Sequence, residues 1–237
     1  MRIALLADIH ANLPALDACL SHSKAQGAEA FVFLGDLVGY GTEPAEVVHR
    51  IMDMAQDGAV VIQGNHDALA VRPSEQVRTL ADSTAAWTHA QLSDDQRRFL
   101  DRLPLVARMD RALLVHATAD SPEAWHYADS PVVAGASLEA AKNDPQVRYV
   151  FGGHVHRQTL FYQGTDARLI PFSPTPGVPI PVPGHRYWLA TVGSVGQPRE
   201  GDSRAMYALF DARRSSLTFY RVGYDRRITA GKWSGRN

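Results

Sequence analysis

The chain has 237 residues, 45% of them hydrophobic and 21% charged, with a formal net charge of -1. It lacks the basic surplus of nucleic-acid-binding proteins, and no apolar stretch approaches the roughly 20 residues of a membrane span. The single cysteine, Cys19, excludes an intramolecular disulfide, so we expect a cytoplasmic protein with one domain over residues 1–237 and neither nucleic acid nor membrane as its main partner.

Short apolar runs alternate with helical patterns in the first part of the chain. The apolar runs predict buried strands at residues 2–7, 30–34 and 59–63, and the periodic segments predict helices at 13–25 and 45–55. This alternation favours an α/β fold with a largely parallel sheet. The opening run is short and ends in Asp8, so we expect a first strand and not a targeting segment.

The later part of the chain is expected to hold a helical excursion near residues 75–103 and then a second sheet. Strand patterns occur at residues 112–115, 147–151, 159–162, 187–192, 206–210 and 217–222, with a helical pattern near 137–142. The proline-rich segment 171–186 is expected to be an ordered surface loop, because proline cannot donate regular ladder hydrogen bonds.

Side chains that can bind metal follow five of the predicted strands. They are Asp8 with His10, Asp36, Asn65 with His66, His116, and His154 with His156. Ligands collect at the carboxyl ends of parallel strands, and mixed oxygen and imidazole donors suit Mn²⁺, Fe or Zn²⁺. Residues two apart in an extended chain point to the same face, so Asp8 with His10, and His154 with His156, are each expected to reach a shared centre.

The ordered motifs Asp8-x-His10, Gly35-Asp36, Gly64-Asn65-His66-Asp67, His116 and Gly153-His154-x-His156 resemble those of the calcineurin-like metallophosphoesterases. Segments 7–16, 35–47 and 193–204 are similar, more narrowly, to the small bacterial and archaeal phosphodiesterases related to diadenosine tetraphosphatases. The resemblance implies a four-layer α/β/β/α sandwich, in which two mixed sheets are flanked by helices.

The same resemblance implies a role for each site residue. Asp8, His10 and His156 would bind one divalent ion, Asn65, His116 and His154 would bind a second, and Asp36 would bridge the two. Mn²⁺ is the expected ion, with Fe, Zn²⁺, Ni²⁺ and Mg²⁺ as alternatives. His66 would donate a proton to the leaving group after attack by a metal-activated hydroxide. The sequence does not identify the residue that orients His66, and Asp67 is one candidate.

The implied reaction is hydrolysis of a phosphodiester or a nucleotide phosphoanhydride. A phosphomonoesterase, or a metal-retaining binding or regulatory module without turnover, remains an alternative. Gly39-Tyr40-Gly41 stands where the related protein phosphatases have Asp-Arg-Gly, which disfavours a phosphoprotein substrate. The sequence leaves the oligomeric state open.

Four more residues are candidates for contact with a small phosphorylated substrate, including a nucleotide. Trp125 and Tyr127 could form a wall for a stacked base, although packing explains them equally well. Asn12 could touch a phosphate oxygen or serve only as a helix N-cap. Arg199 could bind phosphate or form a structural ion pair.

Overall fold

A computed structural model describes residues 1–164 and 168–225, so residues 226–237 of the predicted domain lie outside the described part. The strands are β1 (Arg2–Leu6), β2 (Ala30–Phe33), β3 (Val60–Val61), β4 (Val106–Met109), β5 (Ala112–Val115), β6 (Tyr149–Gly152), β7 (Gln158–Gln163), β8 (Leu169–Phe172), β9 (Pro179–Pro181), β10 (Trp188–Val192), β11 (Ala205–Asp211) and β12 (Ser216–Val222). The helices are α1 (Leu13–Ala25), α2 (Pro44–Gln56), α3 (Asn65–Val71), α4 (Leu80–Gln91), α5 (Asp94–Arg102) and α6 (Pro131–Ala141), with a 3₁₀ turn at Pro122–Ala124.

Two six-stranded sheets form the centre of the fold. Their strand orders are β3-β2-β1-β11-β12-β9 and β4-β5-β6-β10-β7-β8. Both sheets are mixed, since β1 is parallel to β2 but antiparallel to β11, and β10 is parallel to β6 but antiparallel to β7. The predicted fold of two mixed sheets flanked by helices is therefore confirmed.

Three buried apolar clusters separate the layers. One lies between the sheets and contains Leu5 and Phe151. A second, with Leu16 of α1 and Tyr207, joins the helices to the outer face of the first sheet. The third includes Leu138 and packs α6 on the second sheet. Each sheet thus buries both of its faces.

Strand β1 shows why its sequence is apolar throughout. Successive side chains of a strand point to opposite faces, and both faces of this sheet are covered. Ile3 and Leu5 pack in the cluster between the sheets, while Ala4 and Leu6 pack towards the helices. The run therefore ends with Asp8 just beyond a strand held firmly on both sides.

Helices α4 and α5 occupy the segment where the sequence predicts a helical excursion. Helix α6 begins at Pro131, earlier than the predicted 137, and the Ser130 side chain caps it by accepting from the Val133 amide. The pattern is hard to detect because Val132, an apolar residue, is 81% exposed. Among the described residues, no helix has the combination of length and apolarity that a membrane span needs.

The proline-rich segment is not wholly a loop, and that prediction is wrong in two places. Pro179–Pro181 forms β9, which pairs antiparallel with β12 through the Ile180–Leu217 register. Pro171 lies in β8, which pairs with β7. Both strands are at sheet edges, where proline is tolerated because the missing N–H need not bond to a neighbour.

Candidate metal centre

The metal-capable side chains that the sequence singles out lie together beyond the carboxyl ends of strands from both sheets. Asp8 follows β1, Asp36 follows β2, and His116 follows β5. His154 and His156 lie between β6 and β7. All five side chains are at least nine-tenths buried. Buried charged and imidazole groups are retained in proteins when they are paired or bind metal, so this cluster is a candidate site.

The backbone reaches the cluster through tight left-handed turns. The residues with positive φ include Asp8 (53°), His10 (48°), Asp36 (53°), His154 (66°) and His156 (59°). The expected extended geometry of Asp8-x-His10 and His154-x-His156 is therefore wrong. Residues other than glycine rarely adopt this conformation, and it concentrates at functional sites, where surrounding contacts hold the strain.

Asp8, His10 and His156 form one group, in which ligand atoms lie within 4.8 Å of one another. The Nε2 atoms of His10 and His156 are 3.1 Å apart, and Oδ1 of Asp8 is 3.4 Å from His156 Nε2. The other side of Asp8 is anchored, because its carboxylate accepts the His154 amide at 2.9 and 3.1 Å. Three donors thus face one small volume.

Asp36, His116 and His154 form a second group with the same spacing. Nε2 of His116 lies 3.2 Å from Nδ1 of His154 and 3.2 Å from Oδ1 of Asn65. Oδ2 of Asp36 is 3.4 Å from His116 Nε2 and also 3.8 Å from Nε2 of His10 in the first group. One carboxylate oxygen therefore faces both groups.

The four clustered histidines share a hydrogen-bonding pattern that suits metal binding. The outer ring nitrogen of each donates to a backbone carbonyl: His10 to Val38 (3.1 Å), His116 to Leu34 (2.7 Å), His154 to Trp125 (2.9 Å) and His156 to Gln197 (2.7 Å). A carbonyl can only accept, so the inner nitrogen of each neutral ring keeps its lone pair for a cation. The donor set therefore fits two divalent ions.

Without cations, the cluster has an uneven proton distribution. Burial lowers the pKa of His10 to about 3 and that of His154 to about 4. Burial also opposes charge on His116, but the Asp36 carboxylate outweighs it and raises the pKa of His116 to about 9. In the absence of a cation, the protonated form of His116 beside Asp36 is therefore favoured, and a cation bound there would compete with that proton.

Asp67 supports the loop that carries Asp36. Its carboxylate accepts the amides of Leu37 (2.9 Å), Val38 (3.2 Å) and Gly64 (2.9 Å). Burial and the nearby Asp36 charge raise the pKa of Asp67 to about 7. Within the described part of the chain, no hydrogen bond joins Asp67 to the His66 ring, so Asp67 is not the orienting partner that the sequence offered as a candidate.

His66 lies in the first turn of α3, beside the two groups but outside both. Its amide donates to Oδ1 of Asp36 at 2.8 Å, and burial lowers the pKa of its ring. The Tyr40 ring packs on the His66 ring with centroids 4.5 Å apart. Sequence reasoning missed Tyr40 as a site residue, although its position between two glycines just after Asp36 was a signal.

Two aromatic residues stand at the other side of the cluster. The Tyr127 ring stacks on His154 at 4.1 Å with an interplanar angle of 23°, and Tyr127 is 50% exposed. The Trp125 ring lies edge-on to His116 at 5.7 Å. The structure therefore brings both predicted wall residues to the mouth of the site.

The other two substrate candidates differ in their placement. Arg199 is exposed, and its guanidinium donates to Gln197 Oε1 at 3.0 Å. Burial raises the pKa of the Tyr40 hydroxyl, and the positive charge of Arg199 opposes this shift. Asn12 is the N-cap of α1 and also donates to Gly196 O (3.0 Å) and Tyr224 Oη (3.1 Å). These bonds engage both the side-chain carbonyl and the side-chain amide of Asn12. We therefore assign Asn12 a structural role and propose no contact between it and phosphate.

Comparisons with known proteins agree with this geometry. The calcineurin-like phosphoesterase superfamily domain matches residues 1–215. An uncharacterized protein of Methanocaldococcus jannaschii is 31% identical over 232 residues, covering 94% of this chain and 88% of that protein. A metallophosphoesterase structure from Sphaerobacter thermophilus has a TM-score of 0.86 at 30% identity, covering 99% of this chain and 93% of that one.

A hypothetical protein of Pyrococcus horikoshii is similar in fold, with a TM-score of 0.77 at 21% identity and coverage of 98% and 92% of the two chains. The family match spans both groups of metal-capable side chains and the strands that carry them. The chain belongs to the calcineurin-like phosphoesterase superfamily.

Proposed function

We propose that this protein is a dimetal-dependent phosphoesterase that hydrolyses a phosphodiester or a nucleotide phosphoanhydride. One observation carries the proposal: Oδ2 of Asp36 faces His116 in one group and His10 in the other, at 3.4 and 3.8 Å. A carboxylate shared between two ion sites can hold the ions close enough to act on one phosphoryl group.

Each ion would have its own set of protein ligands. The first set would be Asp8, His10 and His156, the second Asn65, His116 and His154, and Asp36 would be shared, since its Oδ2 faces both His10 and His116. Bound there, two divalent ions, with Mn²⁺ as our first choice, would offset phosphoryl charge and lower the pKa of water for attack on phosphorus. The carbonyl bonds of the four histidines keep the ligating nitrogens in place before the ions arrive.

His66 is the proposed proton donor to the departing oxygen. A Cβ added to Gly39 would lie 2.8 Å from Nδ1 of His66, so Nδ1 faces the Gly39 backbone. We therefore assign the proton transfer to Nε2. Because the His66 amide is bonded to Asp36, the His66 backbone stands at a set distance from the carboxylate shared by the two groups.

The mouth of the site supports a small phosphorylated substrate with a flat leaving group, such as a nucleotide. Tyr127 and Trp125 offer aromatic surface on the His154 and His116 side. Arg199 offers a cation near Tyr40, on the His66 side. A cytoplasmic location, which the buried lone Cys19 favours, completes the proposal.

The test is a substrate comparison with chelator-stripped protein reloaded with Mn²⁺. Bis-p-nitrophenyl phosphate, p-nitrophenyl phosphate and a dinucleoside polyphosphate are assayed in parallel, with bound metal measured in the same samples. We expect turnover of the diester or the dinucleotide to exceed that of the monoester. Faster monoester hydrolysis would identify a phosphomonoesterase, whereas two bound ions with no turnover would identify a binding or regulatory module.

A further inference from the structure

The His66 ring is held differently from the four clustered histidines. Each of those has an outer nitrogen bonded to a carbonyl. Among residues 1–164 and 168–225, the His66 ring has no hydrogen-bonding partner, while its amide is bonded to Asp36. The amide bond locates the backbone of His66 but leaves the ring torsions free. Packing must therefore decide where the ring points.

Tyr40 supplies an aromatic ring to that packing. Its ring lies against His66 with centroids 4.5 Å apart and an interplanar angle of 54°, and it also meets the edge of His10 at 4.9 Å. His10 in turn meets the His66 ring at 5.1 Å and 90°. The three rings form one contiguous cluster, in which Tyr40 is the only member outside the proposed ligand and proton-donor set.

The backbone around Tyr40 is shaped to bring the ring there. Gly39 and Tyr40 both have positive φ, of 88° and 60°. A side chain at Gly39 would collide with the His66 ring, so this close approach requires glycine. The strained conformation of Tyr40 is held in place by surrounding contacts, as expected where strain serves a site.

We propose that Tyr40 is the positioning residue for His66, and that its aromatic face does the work that an orienting carboxylate would otherwise do. This inference rests on the proposed phosphoesterase function, in which His66 donates the proton. The ring packs on His66, while the hydroxyl lies near the Arg199 charge at the mouth. The ring is therefore essential for orientation, and the hydroxyl contributes less.

A double-mutant cycle tests the positioning role by kcat with a poor leaving group. Tyr40→Ala should lower kcat about 100-fold, the cost expected when a reacting group shifts by about 1 Å. Tyr40→Phe keeps the ring and should retain most of the rate. In a His66→Gln background, Tyr40→Ala should change kcat by no more than about twofold, since both residues act at one step. The inference would be overturned if the losses of kcat from Tyr40→Ala and His66→Gln multiplied in the double variant. It would also be overturned if Tyr40→Phe were as slow as Tyr40→Ala.

A second readout does not depend on turnover. Diethyl pyrocarbonate modification of Mn²⁺-loaded protein is followed by mass spectrometry of the tryptic peptide spanning residues 51–78, whose one histidine is His66. Tyr40→Ala should speed modification of His66 several-fold, while Tyr127→Ala, which removes the ring stacked on His154, should leave it unchanged. Equal rates of His66 modification in wild type and Tyr40→Ala would overturn the inference, whether or not the wild type is active. An inactive wild type would by itself count only against the proposed function.

Discussion

The backbone amide of His66 donates a 2.8 Å hydrogen bond to Oδ1 of Asp36. This bond directs Oδ2 of the same carboxylate towards His116 and His10. One side chain thus ties together both ligand groups and the first turn of α3. Substitutions at Asp36 and around it should therefore have separable effects on metal content and on rate.

Asp36→Asn should remove the shared anionic ligand while keeping an acceptor for the His66 amide. We expect loss of at least one ion per chain and a rate reduced by at least about 100-fold. Mutation of a residue that only supports a metal ligand already lowers metal affinity or activity about 10- to 100-fold. Elemental analysis and kcat are the measurements. Asp17→Asn, at an exposed carboxylate paired with Arg50, is the matched control. Two ions and an undiminished rate in Asp36→Asn would refute a bridging role.

His66→Gln should keep both ions, because His66 belongs to neither ligand group. The rate with an alkyl leaving group should fall by about 100- to 10,000-fold, the range of general acid catalysis. The loss with p-nitrophenolate should be smaller, because that group leaves without a proton. A series of esters with graded leaving groups provides the measurement, and an equal loss across the series would contradict the proton-donor role.

Gly64→Ala should destabilise the protein and weaken metal binding together. A Cβ at Gly64 would collide with the backbone nitrogen and Oδ1 of Asp36. Overpacking of this kind costs about 1–3 kcal/mol. Gly135→Ala is the matched control, because Gly135 lies inside α6 and a Cβ added there would meet no atom within 4 Å apart from its chain neighbours and the backbone of its own helix. This variant should stabilise the protein by about 0.5–1 kcal/mol. Urea unfolding of both variants tests this, and a stable, fully metallated Gly64→Ala would count against the packing argument.

The metal-free protein should be most stable near pH 6.5. Below that pH the unfolded chain protonates His10 and His154, which stay neutral in the folded state because their pKa values are about 3 and about 4. Stability therefore falls as the pH falls. Asp67 binds a proton in the folded state over the same pH range, because its pKa is raised to about 7. This proton offsets one of the two protons that the unfolded chain takes up, but not both.

Above pH 6.5 the pH dependence of stability has the opposite sign, and stability falls as the pH rises. The pKa of His116 is raised to about 9, so its contribution is complete below 6.5 and is lost as the pH rises through 9. Thermal unfolding of chelator-treated protein from pH 5 to 9 is the measurement. Mn²⁺ should raise Tm most at the alkaline end, because binding must displace the His116 proton. A metal-free Tm that climbs steadily from pH 6.5 to 9 would show that this proton is absent.

Particular residues show how far sequence reasoning reached. The metal-capable residues Asp8, Asp36 and His116 were found because each lies within a few residues after an apolar strand, and that pattern is local. Helix α3 was not predicted, because its short helical pattern begins inside the motif Gly64-Asn65-His66-Asp67. Strand β9 was missed because three residues with two prolines have no strand pattern of their own, and only pairing with β12 makes them a strand.

The amino-acid sequence by itself determined the α/β class and the types of side chain at the strand ends, because strand periodicity and the residues that follow each strand are properties of neighbouring positions. Only the tertiary structure decided that Asp36 faces both ligand groups, that Asp67 supports a loop, and that Tyr40 packs on His66. The physical reason is that left-handed turns and ring contacts depend on segments far apart in the chain, which folding alone brings within a few ångströms of each other.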